Sequence, residues 1–239
     1  MNGPLVPVLR AALREAAQPG KAGAMQAYMK SAMPFLGIEA PLRRRLVAAA
    51  ARGRACADAA ELSATLLALW REATHREERY AALDLLRLPP HRRLIGTALL
   101  PALTELLQTD PWWDFNDELS GQVLPLLLQR EPALMKPLLR RWAGGGDPWL
   151  RRAAMLAQRA LPPEAFDAVL LYDCILPSLA PSPLAGEFFI RKGMGWALRE
   201  RSYAAPEEVQ AFCAEYAERL SPLTLREALK MVRRREGPK

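Results

Sequence analysis

Apolar residues recur along most of the chain at intervals of three or four positions, and strict alternation of apolar and polar residues is absent. This spacing is typical of amphipathic helices packed against one another. Valine, isoleucine and threonine, which favour strands, are scarce, whereas alanine, leucine, arginine and glutamate dominate. The sequence therefore predicts an all-α protein.

Prolines and other helix breakers divide the chain into short segments. Several of the predicted helices begin with a proline in the first turn, where the missing N–H costs nothing. The predicted helices run from Pro4 to Ala17, Ala22 to Met33, Pro41 to Ala51, Asp58 to Trp70, Arg76 to Arg87, His91 to Gln108, Trp112 to Gln129, Pro132 to Trp142, Pro148 to Ala160, Pro163 to Ser178, Pro183 to Arg201, Pro206 to Arg219 and Pro222 to Arg235.

Consecutive helices form pairs of roughly 35 to 45 residues with short connections, which is typical of an α-solenoid of the HEAT type. No linker or low-complexity tract divides the chain, and Gly144-Gly145-Gly146 is interpreted as a loop between two helices. We therefore expect a single HEAT-like repeat domain over residues 1–239. The last segment, from Arg233 to Lys239, is expected to fray.

The composition is that of an ordinary globular protein, with 51% hydrophobic and 25% charged residues. Charges interrupt every leucine run, so no membrane span is predicted, and the stretch from Met1 to Arg14 lacks the features of a signal peptide. Cys56, Cys174 and Cys213 form no CxxC pair. We therefore expect buried cysteines in a reducing cytoplasm, with neither a disulfide framework nor a zinc site.

The net charge is +7, and 27 of the 33 basic residues are arginine. A basic, arginine-rich chain of this size is suited to a polyanion such as nucleic acid. Alternatively, a GC-rich genome raises the arginine content, and much of the charge belongs to solvated helix faces. Net charge alone does not separate these two interpretations.

The segment from Asp110 to Asp117, DPWWDFND, places two tryptophans beside carboxylates. Asp110 is a candidate helix cap and Pro111 suits a first turn. Trp113 and Asp117 are four positions apart, so an indole and a carboxylate share one helix face. This pairing indicates a site for a flat, cationic ligand.

Arginines also stand in the first turns of two predicted helices. Arg151 and Arg152 follow Asp147-Pro148, and Arg43 and Arg44 follow Pro41. Cations at this position oppose the helix dipole, so such a pair suggests a phosphate partner. Salt bridges to neighbouring helices or a solvated face would explain the same pattern.

A second aromatic helix is predicted around Glu187 to Glu200. Gly193 and Gly195 inside it indicate close packing or a close ligand approach, because each costs roughly 1 kcal/mol in a helix. Phe188, Phe189 and Ile190 are expected in the core. Lys192 and Arg199 are candidates for a basic edge, and Trp196 alone would more often be buried than face a ligand.

Taken together, these motifs resemble the AlkD-type DNA alkylation repair glycosylases from about Met25 to Arg235. The shared features keep the family's order and near-family spacing. They are Tyr28-Met29-Lys30 with Phe35-Leu36-Gly37-Ile38, Trp112-Trp113-Asp114 with Asp117, Trp149 to Ala154, Glu187 to Ile190 with Gly195 to Glu200, and Pro222-Leu223 with Arg226-Glu227-Ala228. Phe115-Asn116 and the Gly144-Gly146 loop depart from the family pattern.

The resemblance implies a curved HEAT-like superhelix that holds duplex DNA in a concave basic face and excises N3- and N7-alkylated purines without flipping the base. It implies Asp117 as the catalytic carboxylate, Trp113 and Trp196 at the lesion sugar, and Arg152 near the lesion phosphate. The expected DNA-binding residues are Tyr28, Arg43, Arg44, Arg151, Lys192, Arg199 and Arg226. We expect a monomer of the bacterial cytoplasm or nucleoid, with no metal and no cofactor.

This chemistry suits the residue types. An alkylated purine is already cationic and leaves without a general acid, while a carboxylate and indole faces stabilise positive charge on the sugar. Two other hypotheses stand beside it. One is a non-catalytic HEAT protein that binds damaged or structured DNA, and the other is a HEAT scaffold for protein partners.

Overall fold

The computed structural model describes residues 4–235, and these contain sixteen α-helices and no strand. The all-α prediction is therefore confirmed. The helices are α1 Leu5–Glu15, α2 Pro19–Met29, α3 Ala40–Ala51, α4 Ala59–Arg71, α5 Arg76–Arg87, α6 Pro89–Leu94, α7 Leu100–Gln108, α8 Trp113–Gln122, α9 Leu124–Arg130, α10 Pro132–Gly144, α11 Pro148–Leu156, α12 Ala168–Ile175, α13 Phe188–Ser202, α14 Pro206–Glu215, α15 Pro222–Ala228 and α16 Lys230–Arg235.

The chain forms two compact units, one ending at Leu106 and the other beginning at Leu107. The expectation of a single domain stays a prediction. In the first unit, α1 packs against α3, α4 and α5, and the core includes the fully buried Leu9, Leu13 and Trp70. Buried Glu77 accepts hydrogen bonds from three consecutive backbone N–H groups, those of Leu36 to Ile38, and so fixes the loop before α3.

The second unit is built around α11, which packs against α8, α10, α12 and α13, and around α13, which packs against α15. Its core includes Leu156, Ile175, Ile190 and Leu198, all without exposed surface. Because α11 and α13 are held by this core, the side chains that they present to α8 are fixed in position. The three cysteines are buried, as predicted.

The tryptophan-rich helix differs from its prediction at both ends. It begins at Trp113 after an N-cap at Trp112 that has no side-chain capping bond, so Asp110 is not the cap. Asp110 instead adopts a left-handed backbone with φ of 43°, which aspartate tolerates better than most residues. The helix ends at Gln122 because Pro125, in the first turn of α9, cannot donate to the preceding turn.

Other predicted helices are shorter than expected because turns interrupt them. The segment from His91 to Gln108 is broken at the extended Gly96. The one from Pro163 to Ser178 contains only α12 between two 3-10 helices. The helix predicted to start at Pro183 starts at Phe188.

The predicted fraying of the C-terminus concerns a segment that is only partly described. Helix α16 extends to Arg235, and the remainder of that segment lies outside the described residues. Within residues 4–235, no helix combines the length and the apolar character needed to cross a membrane.

Candidate active site

The candidate site begins with the face of α8 that carries Trp113 and Asp117. Their spacing of four residues predicts a shared face, and both side chains line one cavity of about 390 Å³. Asp147 caps α11 by accepting from the N–H groups of Trp149 and Leu150, with Pro148 at the first helical position. This cap fixes where α11 begins and hence where Arg152 faces α8.

Arg152 holds the Asp117 carboxylate through one of its two oxygens. Its Nε and Nη2 donate to Asp117 Oδ1 at 3.1 and 2.7 Å, and its Nη1 donates to the Phe189 carbonyl at 2.7 Å. The guanidinium is almost fully buried and links α8, α11 and α13. Oδ2 of Asp117 receives no hydrogen bond from the residues that the structure describes, and it remains available to a ligand in the cavity.

The electrostatic setting of Asp117 combines burial with nearby cations. Burial raises the pKa of its carboxyl above the usual value, while the charges of Arg152 and Arg159 oppose that rise. Asp114, one turn earlier on the same helix, adds a smaller effect that also raises the pKa of Asp117. A carboxylate that has lost hydration in this way interacts strongly with positive charge placed beside it.

Helix α13 supplies the opposite wall through Trp196. The indole Nε1 donates to Glu200 Oε1 at 3.1 Å, and the Arg159 guanidinium carbon lies 4.0 Å from the ring centroid. Two glycines allow this arrangement. A Cβ on Gly195 would meet Glu227 Cβ at 2.6 Å, and a Cβ on Gly193 would lie 3.2 Å from Arg152 Nη1.

The remaining cavity wall is both aromatic and charged. Phe188, predicted for the core, has 51% of its surface exposed and lines the cavity instead, whereas Ile190 is buried as expected. Lys192 and Arg199 also line the cavity, and each donates to one carboxylate oxygen of Glu227, at 2.9 and 2.8 Å. Glu227 therefore holds two cations at the wall.

An aromatic cluster supports this wall from α11 and from the residue before α8. The Phe189 ring lies 5.1 Å from the Trp149 ring and 5.3 Å from the Trp112 ring, measured between centroids. Phe189 also presents its carbonyl to Arg152. The cluster therefore fixes the start of α13 relative to the helix that carries Asp117.

Two residues of the second unit that were predicted to bind DNA lie away from the cavity wall. Arg151 is buried and donates to the backbone carbonyls of Gly145 and Pro177, so its guanidinium joins loops. Of the two interpretations of the Arg151-Arg152 pair, a salt bridge to a neighbouring helix describes Arg152, which pairs with Asp117, whereas Arg151 is held by backbone carbonyls. Arg226 is exposed on α15.

The other predicted DNA-binding residues belong to the first unit. Tyr28 is exposed over 78% of its surface at the end of α2. Arg44 is exposed, although its Nε donates to Asp84 Oδ1 at 3.3 Å, whereas Arg43 is buried, donates to Asp84 Oδ2 at 2.7 Å and lies over the Tyr80 ring. Because Arg43 and Arg151 are occupied internally, we leave both out of the interface proposed below.

Comparisons with known proteins identify the family. The model of a family described as DNA alkylation repair enzyme matches residues 9–232, which is nearly the whole chain.

The chain belongs to the DNA alkylation repair enzyme family.

A solved structure of this kind, a predicted DNA alkylation repair enzyme from Enterococcus faecalis, is similar to this chain with a TM-score of 0.78 and 28% sequence identity. The similarity covers 90% of this chain and 95% of that one. The comparison with curated proteins found no match. Among the described side chains of this DNA alkylation repair family member, no group of three potential metal ligands is placed to hold a metal ion.

Sequence reasoning missed several residues that the fold brings to the site. Arg159 was expected only as part of a helix, and Glu227 only as part of a motif, yet they contact Trp196 and the Lys192–Arg199 pair. The spacing of Trp196 and Glu200 by four positions was a usable signal for their hydrogen bond. Nothing in the sequence indicates the contacts of Arg159, because they join segments far apart along the chain.

Proposed function

We propose that this protein is a DNA glycosylase that hydrolyses the N-glycosidic bond of purines carrying a positive charge from alkylation at N3 or N7. The observation that carries the proposal is the Asp117 carboxylate, which Arg152 holds through Oδ1, leaving Oδ2 to the cavity that Trp113 and Trp196 also line. Membership of the alkylation repair family supports alkylated DNA as the substrate.

The protein does not need to activate the purine as a leaving group. Breaking the bond between C1′ and the purine nitrogen sends the electron pair to a cationic ring, so the base leaves neutral and needs no general acid. Positive charge develops on the deoxyribose. Oδ2 of Asp117 stabilises that charge, and the indole faces of Trp113 and Trp196 add cation–π attraction of about 0.5 to 2 kcal/mol each.

Asp117 also orients the water that completes hydrolysis. The water oxygen bonds to C1′ and gives up a proton, which the carboxylate or the solvent accepts. Because contact with the sugar suffices, we propose that the lesion stays stacked in the duplex and that the base is not flipped.

In each unit, the proposed DNA-binding residues are exposed or line the cavity. Lys192 and Arg199 at the cavity wall, together with the exposed Arg226, Arg44 and the aromatic Tyr28, are the proposed DNA-binding residues. Contacts from cations to phosphates supply affinity and position but carry no sequence information.

The test of the reaction is release of free base from defined duplexes. One duplex contains N7-methylguanine, a second contains N3-methyladenine, and a third contains 1,N6-ethenoadenine, an adduct without a fixed positive charge. We expect free base and an abasic site from the two cationic lesions only. Release of the neutral adduct at a comparable rate would contradict the mechanism, because that base needs protonation to leave.

The second candidate is a DNA-binding protein that releases no base. The cations at the cavity wall are the observation that would also suit this role. It predicts salt-sensitive binding to all three duplexes with no free base. The scaffold for protein partners has no comparable support, since no observation of the site favours it.

A further inference from the structure

Arg159 connects the two proposed catalytic elements without lining their cavity. Its guanidinium carbon lies 4.0 Å from the centroid of the Trp196 ring, and its Nη2 makes a long hydrogen bond of 3.5 Å to the backbone carbonyl of Asp117. Trp196 and Asp117 line the cavity, whereas Arg159 does not. The guanidinium therefore contacts the indole without lining that cavity, and together with Glu200 it lines a second cavity of about 220 Å³.

The fold makes specific room for this side chain. Gly121, in the last turn of α8, faces Arg159, and a Cβ there would come within 2.5 Å of Arg159 Nη2. Any larger residue at Gly121 would therefore displace the Arg159 guanidinium from its present position. The absence of a side chain at Gly121 therefore allows Arg159 to lie close to α8.

The position of Arg159 is costly for folding. Its Nη1 is buried and finds no hydrogen-bond partner among the described residues. Burial also lowers the pKa of Arg159, although an arginine stays charged. A buried cationic donor without a partner is unfavourable, so stability alone does not explain this residue.

The indole has two fixed contacts outside the cavity. Glu200 accepts the hydrogen bond of Nε1, which limits rotation of the ring in its own plane. Arg159 lies over the ring, which limits its tilt. These two contacts constrain the plane that Trp196 presents to the cavity, and the Arg199 guanidinium carbon also lies over the ring, more distantly, at 6.0 Å from the centroid.

We propose that Arg159 is a positioning residue of the glycosylase reaction, holding the Trp196 indole against the deoxyribose while it carries a positive charge next to Asp117. This inference rests on the proposed function. Trp196 acts by contact with the sugar, and Arg159 acts through Trp196. A displacement of about 1 Å in such a contact can lower a rate roughly a hundredfold.

Several charges face Asp117 besides Arg159. Arg152 comes from α11 and Asp114 from α8 itself, while Lys192, Arg199 and Glu227 stand on the cavity wall from α13 and α15. Removing the charge of Arg159 leaves all of these in place. Arg159→Met should therefore move the acid limb of the pH profile upward, whereas Arg159→Lys, which keeps the charge, should not.

The test compares Arg159→Lys and Arg159→Met with the wild type in single-turnover release of N7-methylguanine from duplex DNA. Arg201→Lys and Arg201→Met are matched controls, because Arg201 also lies over an aromatic ring, that of Phe166 at 4.9 Å, and does not line the cavity. DNA affinity and the unfolding midpoint are measured for every variant.

We expect both Arg159 variants to lower the rate about tenfold to a hundredfold with DNA affinity within about twofold of wild type. The Arg201 variants should keep the rate. In a Trp196→Ala background, Arg159→Lys should not lower the rate further, because the ring that Arg159 supports is gone.

Three results would overturn the inference. They are an Arg159→Lys rate within about twofold of wild type, equal losses in the Arg201 variants, and a full additional loss in the Trp196→Ala background. If the wild type itself releases no base, the proposed glycosylase function fails instead, and the two failures are thereby distinguished.

Discussion

At the scale of single residues, Asp117 combines burial with one oxygen that is left to the cavity. Arg152 occupies Oδ1 with two N–H groups, and no described residue donates to Oδ2. The same burial raises the pKa of the carboxyl. The Asp117 carboxyl therefore ionises at a higher pH than an ordinary aspartate does.

The pH profile of base release follows from this shift. As the pH falls through the raised pKa of Asp117, the carboxyl is protonated and loses the charge that stabilises the sugar cation. We expect the single-turnover rate to decline on the acid side with a midpoint above the usual aspartate range near 3.9, and to stay level from neutral to mildly alkaline pH. Rates are measured on N7-methylguanine duplex and corrected for spontaneous release.

A profile without an acid limb down to about pH 4 would contradict this role for Asp117. An alkaline limb would indicate a general acid that the mechanism does not contain. Glu61→Gln serves as the control variant, since Glu61 belongs to the other unit and should leave the profile unchanged.

Arg152→Lys tests how the carboxylate is held. Lysine has one ammonium group and cannot supply the donors that reach both Asp117 and the Phe189 carbonyl. We expect a loss of about 2 to 3 kcal/mol in the free energy of unfolding, measured in urea, and a rate lowered about tenfold or more.

Arg140→Lys is the matched control, because its ion pair with Asp173 is about two-fifths exposed on both sides. We expect it to change the free energy of unfolding by no more than about 0.5 kcal/mol. Equal effects of the two substitutions would mean that the buried pair does not organise the site.

At the scale of elements, the site depends on how closely α13 approaches α15. Gly195 has no Cβ, and one placed there would meet Glu227 Cβ at 2.6 Å and the Thr224 carbonyl at 3.0 Å. Trp196 follows directly, and Lys192 and Arg199 reach Glu227 across the same contact. The spacing of these two helices therefore sets the positions of three wall residues.

Gly195→Ala should force α13 and α15 apart. We expect it to lower the free energy of unfolding by about 1 to 3 kcal/mol and to slow base release, because Trp196 moves with its helix. Gly23→Ala is the control, since nothing lies within 4 Å of a Cβ there. That substitution should stabilise α2 by up to about 1 kcal/mol. Stabilisation by both changes would contradict the close-packing argument.

The sequence predicted the helical elements and the shared face of Trp113 and Asp117, because helical periodicity and i,i+4 spacing are local properties. Its candidate cap for α8 is wrong, because the backbone of Asp110 is left-handed and Trp112 takes the cap position. It could not predict that Arg43 and Arg151 are occupied internally while Arg152 meets Asp117, since these depend on partners far along the chain.

At the scale of the whole molecule, the positive net charge is consistent with the DNA substrate that family membership implies. The chain carries a charge of +7 and belongs to the DNA alkylation repair enzyme family. Yet much of the basic charge near the site is balanced locally, since Glu227 pairs with Lys192 and Arg199, and Asp117 with Arg152. DNA must therefore compete with internal carboxylates for some of these cations.

Glu227→Gln tests that competition. Removing the acid frees Lys192 and Arg199 for phosphates, so we expect tighter duplex binding and a steeper fall of affinity with salt, by about one to two units of the log–log slope. Binding is measured by fluorescence anisotropy between about 50 and 200 mM salt. The control Glu105→Gln removes a carboxylate that pairs with Arg71 in the other unit.

The two variants have the same net charge, so an equal gain in both would show that total charge alone sets the affinity. Weaker binding by Glu227→Gln would show instead that Glu227 holds the two cations in the orientation that DNA requires. Either result would contradict the competition between Glu227 and phosphate.

We propose that glycosidic cleavage depends on the negative charge of the Asp117 carboxylate. The most direct test is single-turnover release of N7-methylguanine from duplex DNA by wild type, Asp117→Asn and Asp114→Asn. The amide oxygen introduced by Asp117→Asn can still accept from Arg152, so the fold is retained while the negative charge is lost. We predict release by wild type and Asp114→Asn at similar rates, and a loss of about a hundredfold or more in Asp117→Asn with duplex binding retained. Release by Asp117→Asn at the wild-type rate would contradict this role of Asp117.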